Sequence, residues 1–369
     1  MQGRPLVRES PKLFLMAAAA LVAGLCGCRE EVSVTYSVSD DVRELPPPYR
    51  KQIASALQEY FGTAATPRLR VPDFDAQGDA EKPPLVNLVS PEKLARGRDV
   101  FNRRCWGCHG HTGDGRGPAA EYLYPKPRDY RRGLFKFTST PYGMKPRRTD
   151  LIRVIRFGAR GTSMPAFRWL ADEDVDALVA YVMMLSFRGE LEYRLAREAQ
   201  DLVDPEAEEP ELIEPDYIPE LVAEIADSWK EAETSGIIPL TVEPPFDEES
   251  IAKGQQIFQN KACKGCHKVD AAGGLLAYEQ LLQSASPDVL PEKIRDRWET
   301  LARNLMSPAI MAQLQEKLGE DVLPDNVMDN WGNFAFAANL TSGMLHGGRR
   351  PIDIYRRLYT GVTGTPMPS

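Results

Sequence analysis

Residues 105–109 read "CWGCH" and residues 263–267 read "CKGCH". A Cys-x-x-Cys-His run is the signature of c-type haem attachment. The spacing has a geometric reason. Two thiols separated by two residues can add to the two vinyl groups of one haem, while the adjacent imidazole reaches the iron from one face. The competing chemistries of a cysteine pair, a zinc site or a redox disulfide, would draw on further Cys or His nearby. His111 is the only such neighbour of the first run, and the second has none. Cys105, Cys108, Cys263 and Cys266 are therefore the candidate attachment residues, and His109 and His267 the candidate iron ligands.

Downstream of each run the chain repeats itself. Residues 150–166, "DLIRVIRFGARGTSMPA", and residues 353–369, "DIYRRLYTGVTGTPMPS", align without gaps at Asp, Arg, Gly, Gly, Thr, Met and Pro. A haem iron has a second axial position, and thioether sulfur is a soft ligand that raises the reduction potential. Met164 and Met367 are the candidates for that position, each presented by a loop that proline stiffens. His346, in "LHGGRRP", is the alternative ligand for the second site. Met144 and Met344 are weaker ones, and His111 reads as a surface residue.

The pattern Cys-x-x-Cys-His followed by Gly-Thr-x-Met-Pro resembles the class I cytochrome c family, present twice. The resemblance implies an all-α fold: two tandem domains, each with a helix leading into its haem motif and a closing helix that crosses it. It implies two covalently bound haem c groups. In the first copy, "GDGRGPAA" (113–120) places Pro118 where the family's proline offers its carbonyl to the ring N–H of the haem-ligating His, here His109. The second copy has no such proline, so the group that orients His267 stays open.

The rest of the chain is organised around these copies. Residues 1–27 read as a lipoprotein-type signal peptide: Arg4, Arg8 and Lys12 precede an apolar run from Leu13 to Leu25, followed by Cys26-Gly27-Cys28. That run is short for a bilayer span. Cys28 is the expected lipidated residue, with Cys26 a less suitable one behind bulky Leu25; an ordinary signal is the alternative. Residues 28–90 read as a tether with an amphipathic helix from Pro48 to Phe61, and 91–188 as domain 1. An acidic linker spans 189–246, with a helix in "IPELVAEIADSWKEAE". Domain 2 covers 247–369. It carries a helical insertion, because 100 residues separate His267 from Met367 against 55 between His109 and Met164. The insertion can cover a haem edge, dock a partner or pack on its own domain. No closing helix follows Met367. Either the chain is a fragment, or another element covers the core, the stretch Leu221–Trp229 being one candidate.

The chain has 369 residues, a net charge of −8, six cysteines and four histidines, and is 43% hydrophobic. That charge argues against a nucleic-acid partner. A basic stretch from Tyr122 to Arg168, with Lys126 to Arg148 its densest part, can meet haem propionates, an acidic partner or the chain's own acids. Two iron centres with His/Met ligation leave no open position for a substrate. The expected function is electron carriage, not catalysis, with no small-molecule substrate. The expected setting is periplasmic or cell-surface, on a membrane-anchored lipoprotein that meets a membrane respiratory complex or a soluble redox protein. A haem enzyme or ligand sensor, using an open second haem, is the alternative.

Overall fold

The computed structural model describes residues 34–76, 83–123, 125–207, 209–261, 263, 267, 329–331, 337–338, 340–342 and 345–367. Cys26, Cys28, Cys266, Met344 and the insertion at 277–320 lie outside the described residues. The chain divides into two compact units, Met1–Val34 and Thr35–Ser369. Everything below belongs to the second. The fold is all-α; among the described residues its strands are β1 (Arg70–Pro72) and β2 (Leu85–Asn87), an antiparallel pair with Val71 opposite Val86. No described helix is long and apolar enough to cross a membrane.

Domain 1 is built on a helix crossing. Helix α3 (Pro91–Arg104) starts at Ser90, whose hydroxyl accepts from the Lys93 N–H, and buries Leu94, Gly97, Val100 and Phe101. It lies against α6 (Asp172–Leu202). Gly97 makes the close approach possible, since a Cβ there would run into the Ala177 carbonyl and the Tyr181 side chain. Phe101 and Tyr181 pack ring to ring at 5.4 Å beside it.

Helix α6 does not stop near residue 188 with the domain boundary read from the sequence. It runs 31 residues, and its second half buries Leu191, Leu195, Ala196 and Ala199. Its partners there come from the stretch expected to be a tether. Helices α1 (Asp40–Arg43) and α2 (Pro47–Phe61) pack on α6 and bury Val42, Tyr49, Ile53, Ala56, Leu57, Tyr60 and Phe61. The Tyr49 hydroxyl donates to the Leu202 carbonyl at 3.0 Å. Burying that much aromatic and aliphatic surface stabilises the arm far more than a solvated tether would require.

The acidic linker is also largely structured. Helix α7 (Tyr217–Thr234) buries Ile218, Leu221, Val222, Ile225 and Trp229 and packs on α6 and β1. Trp229 stacks on Phe187 at 5.6 Å and meets Phe135 edge-on at 6.1 Å. Those rings belong to domain 1, so Leu221–Trp229 is not the substitute closing helix for domain 2. The linker's charges stay outside because α7 is amphipathic, with one apolar face turned to the domain.

Domain 2 begins with α8 (Glu248–Asn260), capped by the Asp247 carboxylate on the Ser250 N–H at 2.8 Å. Its Ile251, Gly254 and Ile257 take the places of Leu94, Gly97 and Val100, yet no residue of α8 is buried. Among the described residues, nothing lies within 4 Å of a Cβ built on Gly254.

Candidate haem sites

Cys105–His109 forms a single helical turn at the end of α3; α4 (Trp106–His109) is the label for it. The glycine-rich loop behind it folds back onto the turn. The N–H groups of Gly115, Gly117 and Ala119 donate to the carbonyls of His109, Cys108 and Gly107, at 2.9, 3.1 and 2.9 Å. Gly117 must be glycine, because a Cβ there would strike the Trp106 and Gly107 carbonyls. The turn therefore holds both thiols and the imidazole on one short rigid piece.

His109 is 8% exposed, and its Nδ1 lies 3.1 Å from the Arg128 carbonyl. Donation to that carbonyl places the proton on Nδ1 and leaves Nε2 as a free lone pair. This corrects the expectation for Pro118: the carbonyl that meets the ring is ten residues further on, and Pro118 is exposed. The Tyr130 ring stacks on His109 at 4.8 Å and on Phe135 at 5.9 Å. Tyr130 is held in turn by its N–H on the Gly113 carbonyl at 2.7 Å and its carbonyl under the Ser186 hydroxyl at 2.9 Å. Burial pushes the His109 pKa down to about 4, so the ring is neutral at working pH. Burial likewise pushes the Cys105 thiol up to about 12, helped by Cys108. His111 is half-buried, stacked on Trp106 at 4.6 Å with Nδ1 on Asn102.

The two methionine loops have one geometry. Helix α5 (Arg148–Phe157) and helix α9 (Pro351–Thr360) each end at a glycine with positive φ, Gly158 at 69° and Gly361 at 64°. Their starts match too. Arg147 and Arg350 are the N-caps, and Asp150 and Asp353 at the third helical position accept from the cap N–H at 3.2 and 3.4 Å. In the first loop the Thr162 hydroxyl donates to the Ala159 carbonyl at 2.6 Å and accepts from the Met164 N–H at 3.1 Å. The Ala159 N–H reaches the Met164 carbonyl at 3.3 Å. In the second, Thr365 donates to Val362 at 2.7 Å and accepts from Met367 at 3.3 Å, and Val362 reaches the Met367 carbonyl at 3.2 Å. Gly161 and Gly364 both sit at φ 75°. Both methionines are half-buried.

In domain 2, Cys263 is a free, half-buried thiol, and the His267 Nδ1 lies 2.9 Å from the Ala338 carbonyl. That carbonyl fills the role the sequence left open. Orientation by a backbone carbonyl is therefore common to both sites, but its source lies 19 residues beyond the first His and 71 beyond the second. His346 is half-buried in the turn before α9, next to Gly347, whose carbonyl takes Arg153 and Arg357 at 3.0 Å each. Burial and the nearby Lys136 lower its pKa.

These donors fit haem c. The set is a pair of unpaired thiols on one turn, a neutral imidazole with its outer nitrogen already bonded, and a thioether on a stiffened loop. Around domain 2, the buried Trp331 indole N–H has no hydrogen-bond partner among the described residues.

Most of the basic stretch meets the chain itself. Lys145 pairs with Glu190 at 2.6 Å, both buried; Arg131 pairs with Asp129; Arg148 binds Asp176, and its N–H meets Glu233 of α7 at 2.6 Å. Arg132, Lys136 and Arg153 reach across to domain 2, at Asn330, Asp329 and Asp353.

The cytochrome c family model matches the chain at residues 94–186 and again at 251–320. Among solved structures, a chain of the reducing HAO-like protein complex of Kuenenia stuttgartiensis is similar at 21% identity and a TM-score of 0.45, the match covering 74% of this chain and 86% of that one. No match is found among curated proteins. Each family match holds a Cys-x-x-Cys-His run, and cytochrome c domains carry covalently bound haem c: the two separate matches are what two tandem cytochrome c domains would give.

Proposed function

We propose that this haem protein is a dihaem electron carrier and not an enzyme. Haem c supplies one-electron chemistry, with the metal changing charge by one and no bond to substrate. The protein's part would be to hold each iron with its own side chains. His109 and His267, oriented by the Arg128 and Ala338 carbonyls, would hold each haem iron through the imidazole. Met164 and Met367 would supply the thioether ligands. The observation that carries the reading is the matched pair of threonine-tied Met loops. It supports Met367 over His346 as the second site's ligand, since His346 has no counterpart in domain 1.

The setting belongs to the same proposal. The signal-like Leu13–Leu25 run ending in Cys26-Gly27-Cys28 supports lipidation at Cys28 and a place on the outer side of a bacterial membrane. There the carrier would work between a dehydrogenase or quinol-oxidising complex and a terminal acceptor.

A spectroelectrochemical titration tests the carrier. Haem content by pyridine haemochrome should give two per chain, and the weak ferric absorption of Met–sulfur ligation should account for both. A second haem that is high-spin and binds external ligands would replace the carrier reading with a sensor or enzyme.

A further inference from the structure

The two sites are joined by a short run of contacts. Arg128 supplies the carbonyl that orients His109. Its guanidinium lies over the Trp331 ring at 3.6 Å from the centroid. The six-membered ring of Trp331 rests on Gly364, where a Cβ would come within 2.5 Å of it. The neighbouring Asn330 N–H donates to the Gly364 carbonyl at 2.9 Å. Gly364 lies in the loop that presents Met367. One residue of domain 1 therefore holds the histidine side of its own site with its backbone and the methionine side of the other with its side chain.

A charge cluster surrounds this run. Lys136 pairs with Asp329 at 2.9 Å, with side chains 16% and 3% exposed, and Lys136 also lies 5.6 Å from the Trp331 centroid. The Asp329 carboxylate accepts from the Trp331 backbone N–H at 3.1 Å. Burial, the nearby Arg128 charge and the opposing pull of Asp329 leave the Lys136 pKa at about 8. Charges withdrawn from water act at longer range than solvated ones. A fixed positive charge disfavours the ferric form of a nearby iron, and a fixed negative charge favours it.

We propose that the docking of domain 2, through Arg128, Trp331, Lys136 and Asp329, sets the reduction potential of the domain 1 site. The four are positioning and electrostatic residues that touch neither iron. The proposal rests on the haem reading above and adds to it: the first carrier's potential depends on the second domain's presence and seating.

The test is a potentiometric titration of the full chain and four variants, with haem content measured on each. The domain 1 transition is the one that Met164→His moves. Arg128→Gln keeps the carbonyl and removes the charge, and should lower that potential. Asp329→Asn is nearly isosteric and should raise it. Each shift is expected to be about tenfold in the redox equilibrium, equivalent to about 59 mV for one electron. Trp331→Leu, made in domain 2, should lower the domain 1 potential by rehydrating a cluster of net positive charge. Shifts of one sign for Arg128→Gln and Asp329→Asn, or none with haem content intact, would overturn the coupling and leave the carrier standing. Loss of haem from the parent chain would instead sink the carrier reading.

Discussion

Thr162 and Thr365 explain why Gly-Thr-x-Met-Pro recurs. Each hydroxyl donates to the carbonyl three residues back and accepts from the methionine N–H two residues on. A serine could make the same bonds; valine, of like shape, can make neither. Thr162→Val and Thr365→Val should each cost about 1–2 kcal/mol for the two bonds lost. Each should also halve the ferric Met–sulfur absorption by freeing one of two loops. Chemical denaturation and the near-infrared spectrum check both, and an unchanged spectrum would detach the threonine from ligand presentation. The residue that orients His109 was less legible. Arg128 has no feature that marks its carbonyl over that of Pro118; only the path of the loop over the imidazole selects it.

At the scale of elements, the repeat is legible in α3 and α8 but their surroundings differ. Leu94, Gly97 and Val100 in one and Ile251, Gly254 and Ile257 in the other share a spacing that puts them on one helix face. Gly97 lies under α6 and Gly254 lies open. Gly97→Ala should separate the crossing helices and destabilise domain 1 by more than about 2 kcal/mol, as overpacking does. Gly254→Ala has no neighbour to meet and should gain about 0.5–1 kcal/mol of helix propensity. Thermal melts of the two variants decide it, and a destabilised Gly254→Ala would show that α8 carries a close contact after all. The length of α6 was hidden for a different reason. Arg188, Glu190 and Glu192 look like a solvated helix end, but they are buried in pairs, Arg188 with Glu192 at 2.9 Å and Glu190 with Lys145.

At the scale of the whole molecule, the seating of domain 2 on domain 1 passes through buried ions. Arg153 meets Asp353 at 2.7 Å, with Asp353 3% exposed. Burial alone would raise the Asp353 pKa, but hydrogen bonds and charge from Arg350 and Arg153 bring it below the ordinary carboxylate value. A carboxylate depressed in the folded state stabilises it fully above its ordinary value and loses that contribution as pH falls below. The contact between the domains should therefore weaken below about pH 4, raising the radius of gyration in small-angle scattering, and Asp353→Asn should weaken it at neutral pH. A radius unchanged from about pH 6 to pH 3 would exclude Asp353 as the acid-sensitive contact.

The sequence by itself determined what local chemistry encodes. A thiol pair and its imidazole fall within one helical turn, and a threonine ties a methionine loop within five residues, so spacing alone announces both. The all-α class follows from them through the family pattern. Tertiary structure decided everything that closes over distance: the carbonyls facing His109 and His267, the arm and α7 wrapped on α6, and Arg128 stacked on Trp331. Those partners are selected by which apolar faces bury together and which buried charges then need neutralising. Both are properties of the packed chain, and neither leaves a fixed spacing to read.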